Sequence, residues 1–251
     1  MVAERIQKLL SNLGIMSRRK TEELIKQGKI LVNHQKAELG TKVDLSYDKL
    51  VVDGKEIKFA PVKKFLILNK PAGYLCTHND PEGRPTIFDL IKDKMFLSNI
   101  GRLDFNSEGL VLLTNDGDMK EFLSKPENKI EREYKVKVNK IVYHSELPEM
   151  MKPRRIDGRL VRPQHIRIIK SNRNSSWIAV VVCEGVNREI RKLCEMWGHK
   201  VSRLIRVRFG PIKLFGVAKG QYRALTYNEE RALINLYENR EKGFGKNKKN
   251  K

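Results

Sequence analysis

Arg102 and Asp104 stand two positions apart, and Ser107, Glu108 and Gly109 follow at once. A carboxylate fixed at the mouth of a buried element is the arrangement of a positioned catalytic acid. The same two residues would equally serve as a turn cap and a structural ion pair. A second group is Arg188, Arg191 and Glu195, which share one flank of a helix by their spacing. Arg191 borders the apolar side of that helix and could meet a carboxylate in a cleft; the plainer alternative is an exposed Arg191–Glu195 pair worth a few tenths of a kcal/mol. Tyr134 opens a segment of alternating polarity. A ring there either fills the core or offers a face for a base to stack on. The three cysteines, Cys76, Cys183 and Cys194, are odd in number and far apart, which argues against both a disulfide framework and a CxxC zinc site. Cys194 and His199 are close, but two ligands do not make a metal site; a buried thiol and a surface imidazole are expected instead.

These side chains need elements to hold them. Residues 99–118, NIGRLDFNSEGLVLLTNDGD, read as strand, turn and strand, the second built on Leu110-Val111-Leu112-Leu113 and closed by Asn115-Asp116-Gly117. Its short apolar run suits a strand buried on both faces. Phe65-Leu66-Ile67-Leu68 predicts another, followed by Pro/Gly-punctuated loops around 71–73 and 81–85 and a short helix near 89–91. A helix is expected over 120–124 and a half-buried strand over 134–138. Strands follow over 165–170 and 177–183, then a helix over 188–197 and one long strand over 201–214. Thr226 and Glu229 form a capping box for a last helix. No fixed-period repeat, Walker loop or GxGxxG is seen.

The chain has 251 residues, 51 of them Lys or Arg against 30 Asp or Glu, a formal charge of +21. Such an excess repels itself in a compact state, and a polyanion relieves it. Nucleic acid is favoured over a small acidic substrate, and a membrane surface is the weaker alternative. No segment approaches the ~18 apolar residues of a spanning helix, and no signal-peptide core is present. A cytoplasmic location is expected.

Near the N-terminus, Ile6, Leu9, Leu10 and Leu13 fall on one helical face, and Gly14 supplies a stop. Ser17 is a good N-cap for a second helix ending at Gly28, and a short strand over 30–33 leads to a turn at His34-Gln35. Arg18, Arg19, Lys20 and Lys26 make the second helix basic on one side, a surface suited to RNA phosphates. A domain boundary is expected close to Pro61, giving an RNA-binding domain over 1–60 and a second domain over 61–240. Residues 241–251 are mostly Gly, Lys and Asn with little to bury, and read as a basic disordered tail.

Residues 4–50, with ERIQKLLSNLGIMSRRKTEELIKQGKILVNHQ, resemble the small RNA-binding domain named after the fourth small-subunit ribosomal protein. Residues 65–214 resemble the catalytic domain of the rRNA pseudouridine synthases typified by the ribosomal small-subunit enzyme. The matching pieces are LNKPAGYLCTHNDPEGRPTIFDLI, GRLDFNSEGLVLLTNDGD, EREYKVKV and EGVNREIRKLCEMWGHKVSRLIRVRFGPIKL; GRLDFNSEG looks most like the branch acting on large-subunit rRNA. The resemblance implies an α+β fold, a mixed and largely antiparallel sheet with helices packed on it and a cleft across it. It implies that a uridine of a structured rRNA stem-loop, free or in a subunit assembly intermediate, is flipped into the cleft. Asp104 then matches the family's indispensable acid, Tyr134 the stacking tyrosine and Arg191 the basic partner of the acid, while Arg102 would position the nucleotide. No metal, nucleotide or other cofactor is implied, and a monomer is expected. The chain departs from the pattern in carrying Val186 and Glu189 where a more basic or amide-rich EGRNRQVRR is common. The competing reading is a non-catalytic rRNA-binding assembly factor.

Overall fold

The computed structural model describes residues 3–57, 62–93 and 95–247, without the side chains of 240–247. The boundary expected close to Pro61 and the last residues of the tail, 248–251, lie outside the described residues. The chain forms two compact units, one from residues 1–65, 92–98 and 113–120, the other from 66–91, 99–112 and 121–251.

In the first unit β1 (Glu4–Arg5) leads into α1 (Ile6–Asn12), and α2 (Arg18–Lys26) follows. The Ser17 hydroxyl accepts the Lys20 N–H at 3.1 Å, satisfying one of the free donors of the first turn of α2. Then come β2 (Ile30–Val32), β3 (Gln35–Lys36), β4 (Lys42–Val43), β5 (Leu50–Val52) and β6 (Lys55–Ile57). The order β3-β2-β5-β6 makes a four-stranded sheet, and β1 pairs with β4. The β2–β3 turn falls one residue before its expected place, because Asn33 and His34 take the positive φ values of 50° and 70°. Asn tolerates that region, and its side chain ties the turn to Asp48 and Lys49. Ile6, Leu10, Leu24, Ile25, Ile30, Val43 and Leu50 close the core between helices and strands. The basic side chains Arg18, Arg19, Lys20 and Lys26 are all exposed.

The remaining elements are β7 (Phe65–Lys70), β8 (Ser98–Ile100), β9 (Glu108–Thr114), α3 (Gly117–Ser124), β10 (Arg132–Val138), α4 (Leu147–Met150), β11 (Arg154–Ile156), β12 (Arg159–Val161), β13 (His165–Asn172), β14 (Ser175–Val182), α5 (Glu189–Met196), β15 (Val201–Phe209), β16 (Ile212–Lys213), β17 (Tyr222–Ala224) and α6 (Tyr227–Asn247). A nine-stranded sheet runs β13-β14-β10-β15-β9-β7-β17, with β16 on β15 and β8 on β9. Pairs from β13 to β15 are antiparallel, while β15 runs parallel to β9, so the sheet is mixed and the fold α+β, as the sequence leads one to expect. The apolar run of β9 is buried along its whole length, and β10 alternates.

Three expectations need correction. The long strand over 201–214 is a hairpin, since Gly210 turns at φ +53° and Pro211 interrupts pairing. His199 is buried and not a surface residue; its Nε2 lies 3.1 Å from Glu146 Oε2. The last helix continues through Asn247, so residues 241–247 are helical where a disordered tail was expected. It starts from the capping box as expected: Thr226 and Glu229 exchange side chain to backbone bonds at 2.8 and 3.3 Å.

The parallel β9–β15 contact sets Gly109 directly against Arg206. A Cβ on Gly109 would sit 2.2 Å from the Arg206 carbonyl oxygen, and its φ of +103° suits glycine alone. The neighbour is backbone and cannot swing away. Gly109→Ala is therefore expected to cost on the order of 3 kcal/mol or more, or to prevent folding, as read by urea denaturation. Wild-type stability in this variant would show that the two strands are further apart than described.

Candidate active site

Asp104 lies in the loop between β8 and β9, and its position is set by a lysine from a neighbouring strand. Lys70 ends β7 with a relative exposure of 0%. Its ammonium donates to four backbone carbonyls, those of Pro71 and Asp104 at 3.1 Å, Phe105 at 3.2 Å and Ser107 at 2.7 Å. The Phe105 carbonyl also accepts the Gly73 N–H at 2.8 Å, and the Asp104 carbonyl accepts from Ser107 N–H at 3.0 Å. The loop's inward-pointing carbonyls are thus collected on one cation, as buried backbone acceptors require. Burial lowers the Lys70 pKa to about 8, which leaves it cationic at neutral pH.

Two arginines at the start of α5 face the acid. Arg191 Nε and Arg188 Nη1 each lie 3.8 Å from Asp104 Oδ2. Arg191 is the better held: its side chain is mostly buried, and Nη2 reaches the Asn106 carbonyl and Ser107 Oγ at 3.4 Å each. At 3.8 Å neither guanidinium hydrogen-bonds the carboxylate, and the Nε of Arg191 is buried with no hydrogen-bond partner among the described residues. The cation is aimed at the acid with its Nε–H unspent. Asp104 itself remains open, with a side chain 32% exposed.

That opening leads into a cavity of about 170 Å³ walled by Arg102, Asp104, Tyr134, Arg188, Ile190 and Leu204, among others. Outside it lies a wider groove of about 700 Å³ that shares Arg102, Asp104 and Arg188 and adds Arg84 and Phe105. Asp104 therefore sits where the smaller cavity meets the wider groove. Tyr134 is 9% exposed, paired across the sheet with Val180 and Arg206, and shows the cavity only part of its ring.

The structure thus brings together Arg102, Asp104, Tyr134 and Arg191, four residues separated by up to 89 positions in the chain. The basic residues of α2 belong to the other unit. Sequence reasoning gave no site role to Lys70, Arg132 or Arg206, and marked Glu189 only as a departure from the family pattern. Arg206 is 1% exposed, donates from Nε to the Leu110 carbonyl at 2.7 Å, and lies over Phe209 as Arg132 does, each guanidinium carbon 5.1 Å from the ring centre. A signal was present, because alternation along β15 puts Arg206 on the same face as Leu204. Where β9 meets β15, Arg203 binds both oxygens of Glu108 at 2.7 and 3.0 Å, which with Lys219 holds that carboxyl down at about 2.

Among known proteins, residues 64–196 match the family model described as RNA pseudouridylate synthase, and residues 4–48 match the S4 domain. The chain is 40% identical over 242 residues to ribosomal large subunit pseudouridine synthase B of Pseudomonas aeruginosa, an alignment covering 91% of this chain and 61% of that one. It is 37% identical over 227 residues to an uncharacterized RNA pseudouridine synthase of Rickettsia typhi, covering 88% of this chain and 91% of that one. The chain thus spans about three-fifths of the length of the Pseudomonas relative but nearly all of the Rickettsia one. A crystal structure of a pseudouridylate synthase superposes with a TM-score of 0.61 at 23% identity, over 91% of this chain and 99% of that one, and shows the same fold. With the family model spanning more than half of its residues, and the acid of its GRLD segment standing at the junction of pocket and groove, the chain belongs to the RNA pseudouridylate synthase family.

Proposed function

We propose that this protein converts a uridine of ribosomal RNA, in the large subunit, to pseudouridine. The observation that carries the reading is the Asp104 carboxylate, faced by Arg191 at 3.8 Å, at the mouth of a cavity that Tyr134 walls. The RNA surrenders one stacked uridine, at a cost of a few kcal/mol, and the outer groove receives its flanking backbone. Arg102, common to pocket and groove, positions the flipped nucleotide. Tyr134 supports the base by stacking. Asp104 initiates cleavage of the bond between ribose C1′ and N1. The base rotates while held in the pocket, C1′ bonds to C5, and the C5 proton leaves as N1 gains one. Reactant and product are isomers, so every atom is accounted for without a co-substrate. Arg191 and Arg188 supply the counter-charge that fixes the direction of the acid.

The N-terminal domain over 1–60 gives the grip on a structured rRNA stem-loop through Arg18, Arg19, Lys20 and Lys26, and residues 61–240 carry out the chemistry. The enzyme acts as a monomer in the cytoplasm, on rRNA free or in an assembling subunit. Lys20 is paired with Glu23 at 3.2 Å, an exposed pair that a phosphate displaces at little cost. Arg18→Ala with Lys20→Ala is expected to lower RNA affinity about tenfold and reduce the slope of log affinity against log salt by about 1.5, with the bound rate unchanged. A filter-binding titration at several salt concentrations measures it, and an unaltered slope removes α2 from the interface.

The direct test is pseudouridine mapping of rRNA from cells with and without the gene, together with rRNA treated with the purified protein. One uridine converted only when the protein is present is the expected result. If no site differs, the non-catalytic assembly factor is the correct reading.

A further inference from the structure

Where the loop after β14 enters α5 stands a buried carboxyl that the reaction above leaves unused. Two residues in this loop adopt left-handed backbone, Gly185 at φ +71° and Arg188 at φ +54°. For arginine that conformation is unusual, and it accompanies the placement of Nη1 3.8 Å from Asp104 Oδ2. Something must hold the loop in this shape. Glu189, the first residue of α5, is 5% exposed and reaches back so that its Oε2 accepts the Gly185 N–H at 2.9 Å. Its Oε1 is buried, has no hydrogen-bond partner among the described residues, and belongs to a side chain that lines the inner cavity.

Groups facing this carboxyl come from each surrounding element. Glu184 stands beside it in the same loop, Arg132 faces it from β10, and Cys183 adjoins it at the end of β14. Arg206 of β15, Tyr134 of β10 and Arg188 share the cavity wall. Arg132 is already committed, with Nη1 donating to the Cys183 carbonyl at 2.7 Å and Nη2 to the Leu123 carbonyl at 3.4 Å. An ionised Glu189 would put a bare anionic oxygen next to a second carboxylate. A protonated one turns the unpaired oxygen into a donor.

We propose that Glu189 works as a neutral carboxylic acid, a positioning residue whose Oε1–H donates to the Glu184 carboxylate while Oε2 accepts from Gly185, closing the loop that presents Arg188 to Asp104. The inference rests on Asp104 being the reacting acid. Burial above all, and then Glu184, push Glu189 up to about 7, against the pull of the Gly185 N–H and Arg132. The sign follows: the acid form predominates below that pH, and as pH rises through it the two carboxylates repel, the loop opens and Arg188 withdraws.

The test compares wild type with Glu189→Gln and Glu189→Leu, using the full chain and an rRNA transcript, across about pH 5.5 to 9. The Gln amide accepts from Gly185 and donates to Glu184 without titrating. Wild-type kcat is expected to fall about tenfold per pH unit above about 7, with KM for RNA unchanged. Glu189→Gln keeps the low-pH rate and loses that descending limb, whereas Glu189→Leu is slow throughout. A Glu189→Gln profile that descends with wild type, or a Gln variant slow at every pH, overturns the proposal. A ¹³C carboxyl titration gives a second readout independent of turnover. A midpoint near 7 that vanishes in Glu189→Gln supports the neutral acid, and a midpoint in the ordinary carboxylate range of ~4 refutes it. Should wild type form no pseudouridine at all, the functional assignment fails on that measurement, and the titration alone still decides the state of Glu189.

Discussion

Asp104→Asn is expected to slow pseudouridine formation by at least about 10⁴-fold while RNA affinity stays within about threefold. The substitution keeps size and shape and removes only the charge and basicity of one side chain. Nothing in the fold depends on that charge: the structural bonds of the loop are made by the Asp104 carbonyl to Lys70 and Ser107, not by the carboxylate. The carboxylate has two ion-pair contacts, both at 3.8 Å, with arginines at a partly open site, and such contacts are worth about 1 kcal/mol or less. Loss of chemistry without loss of fold or binding is therefore the signature to look for. A 10⁴-fold decrease corresponds to about 5.5 kcal/mol of barrier, far above what a displaced loop would give without a change in stability. Release of tritium from C5-labelled uridine follows the reaction in a single turnover, because that proton must leave as C1′ bonds to C5. An Asn variant that releases tritium at the wild-type rate would move the reacting acid elsewhere, and no other carboxylate in the pocket is similarly aimed: Glu189 bonds Gly185 and Glu184 bonds the neighbouring N–H of Cys183.

Local pattern made much of this site legible. The unbroken apolar run 110–113 implies a strand buried on both faces, and β9 is one. Period-two alternation puts Tyr134 with Val136 and Val138 on the buried face of β10. Helical spacing sets Arg191 at the border of the apolar stripe of α5, where a long side chain can turn either way. The structure decides for the cleft, because Asn106, Ser107 and Asp104 provide partners there that Glu195 alone would not. Lys70 was not legible for a definite reason. A lysine closing the run Phe65-Leu66-Ile67-Leu68-Asn69 reads as the point where a strand reaches water, and only the return of residues 104–107 to its ammonium makes it a core residue. The break in β15 was signalled by Gly210-Pro211, a strong local stop that the apolar residues on either side of it obscured. Burial of His199 depends on Glu146, over fifty positions away, and no local spacing encodes it.

Lys70→Met should lower stability by about 3 kcal/mol or more and reduce turnover even though the side chain never reaches the pocket. Methionine fills the same volume and stays buried, so packing changes little. What changes is the fate of four carbonyl oxygens, those of Pro71, Asp104, Phe105 and Ser107. Those of Asp104 and Phe105 also accept from Ser107 N–H and Gly73 N–H respectively. Each acceptor left bare costs about 1–3 kcal/mol, and the loop can recover part of this only by turning carbonyls toward water, which rotates the backbone that aims Asp104. Stability and activity are thus tied together here, unlike in Asp104→Asn. Urea denaturation gives the first effect. Hydrogen exchange gives the second before any kinetics are measured, through faster exchange at Gly73 and Ser107, whose N–H groups close onto the same loop. Lys70→Arg is not expected to rescue: a planar fork cannot replace a compact ammonium surrounded by carbonyls, and its larger head has no space at a site with zero exposure. A Met variant that is as stable as wild type and equally protected at those two amides would mean that the four carbonyls find solvent at no cost, and that the catalytic loop owes its shape to something other than this lysine.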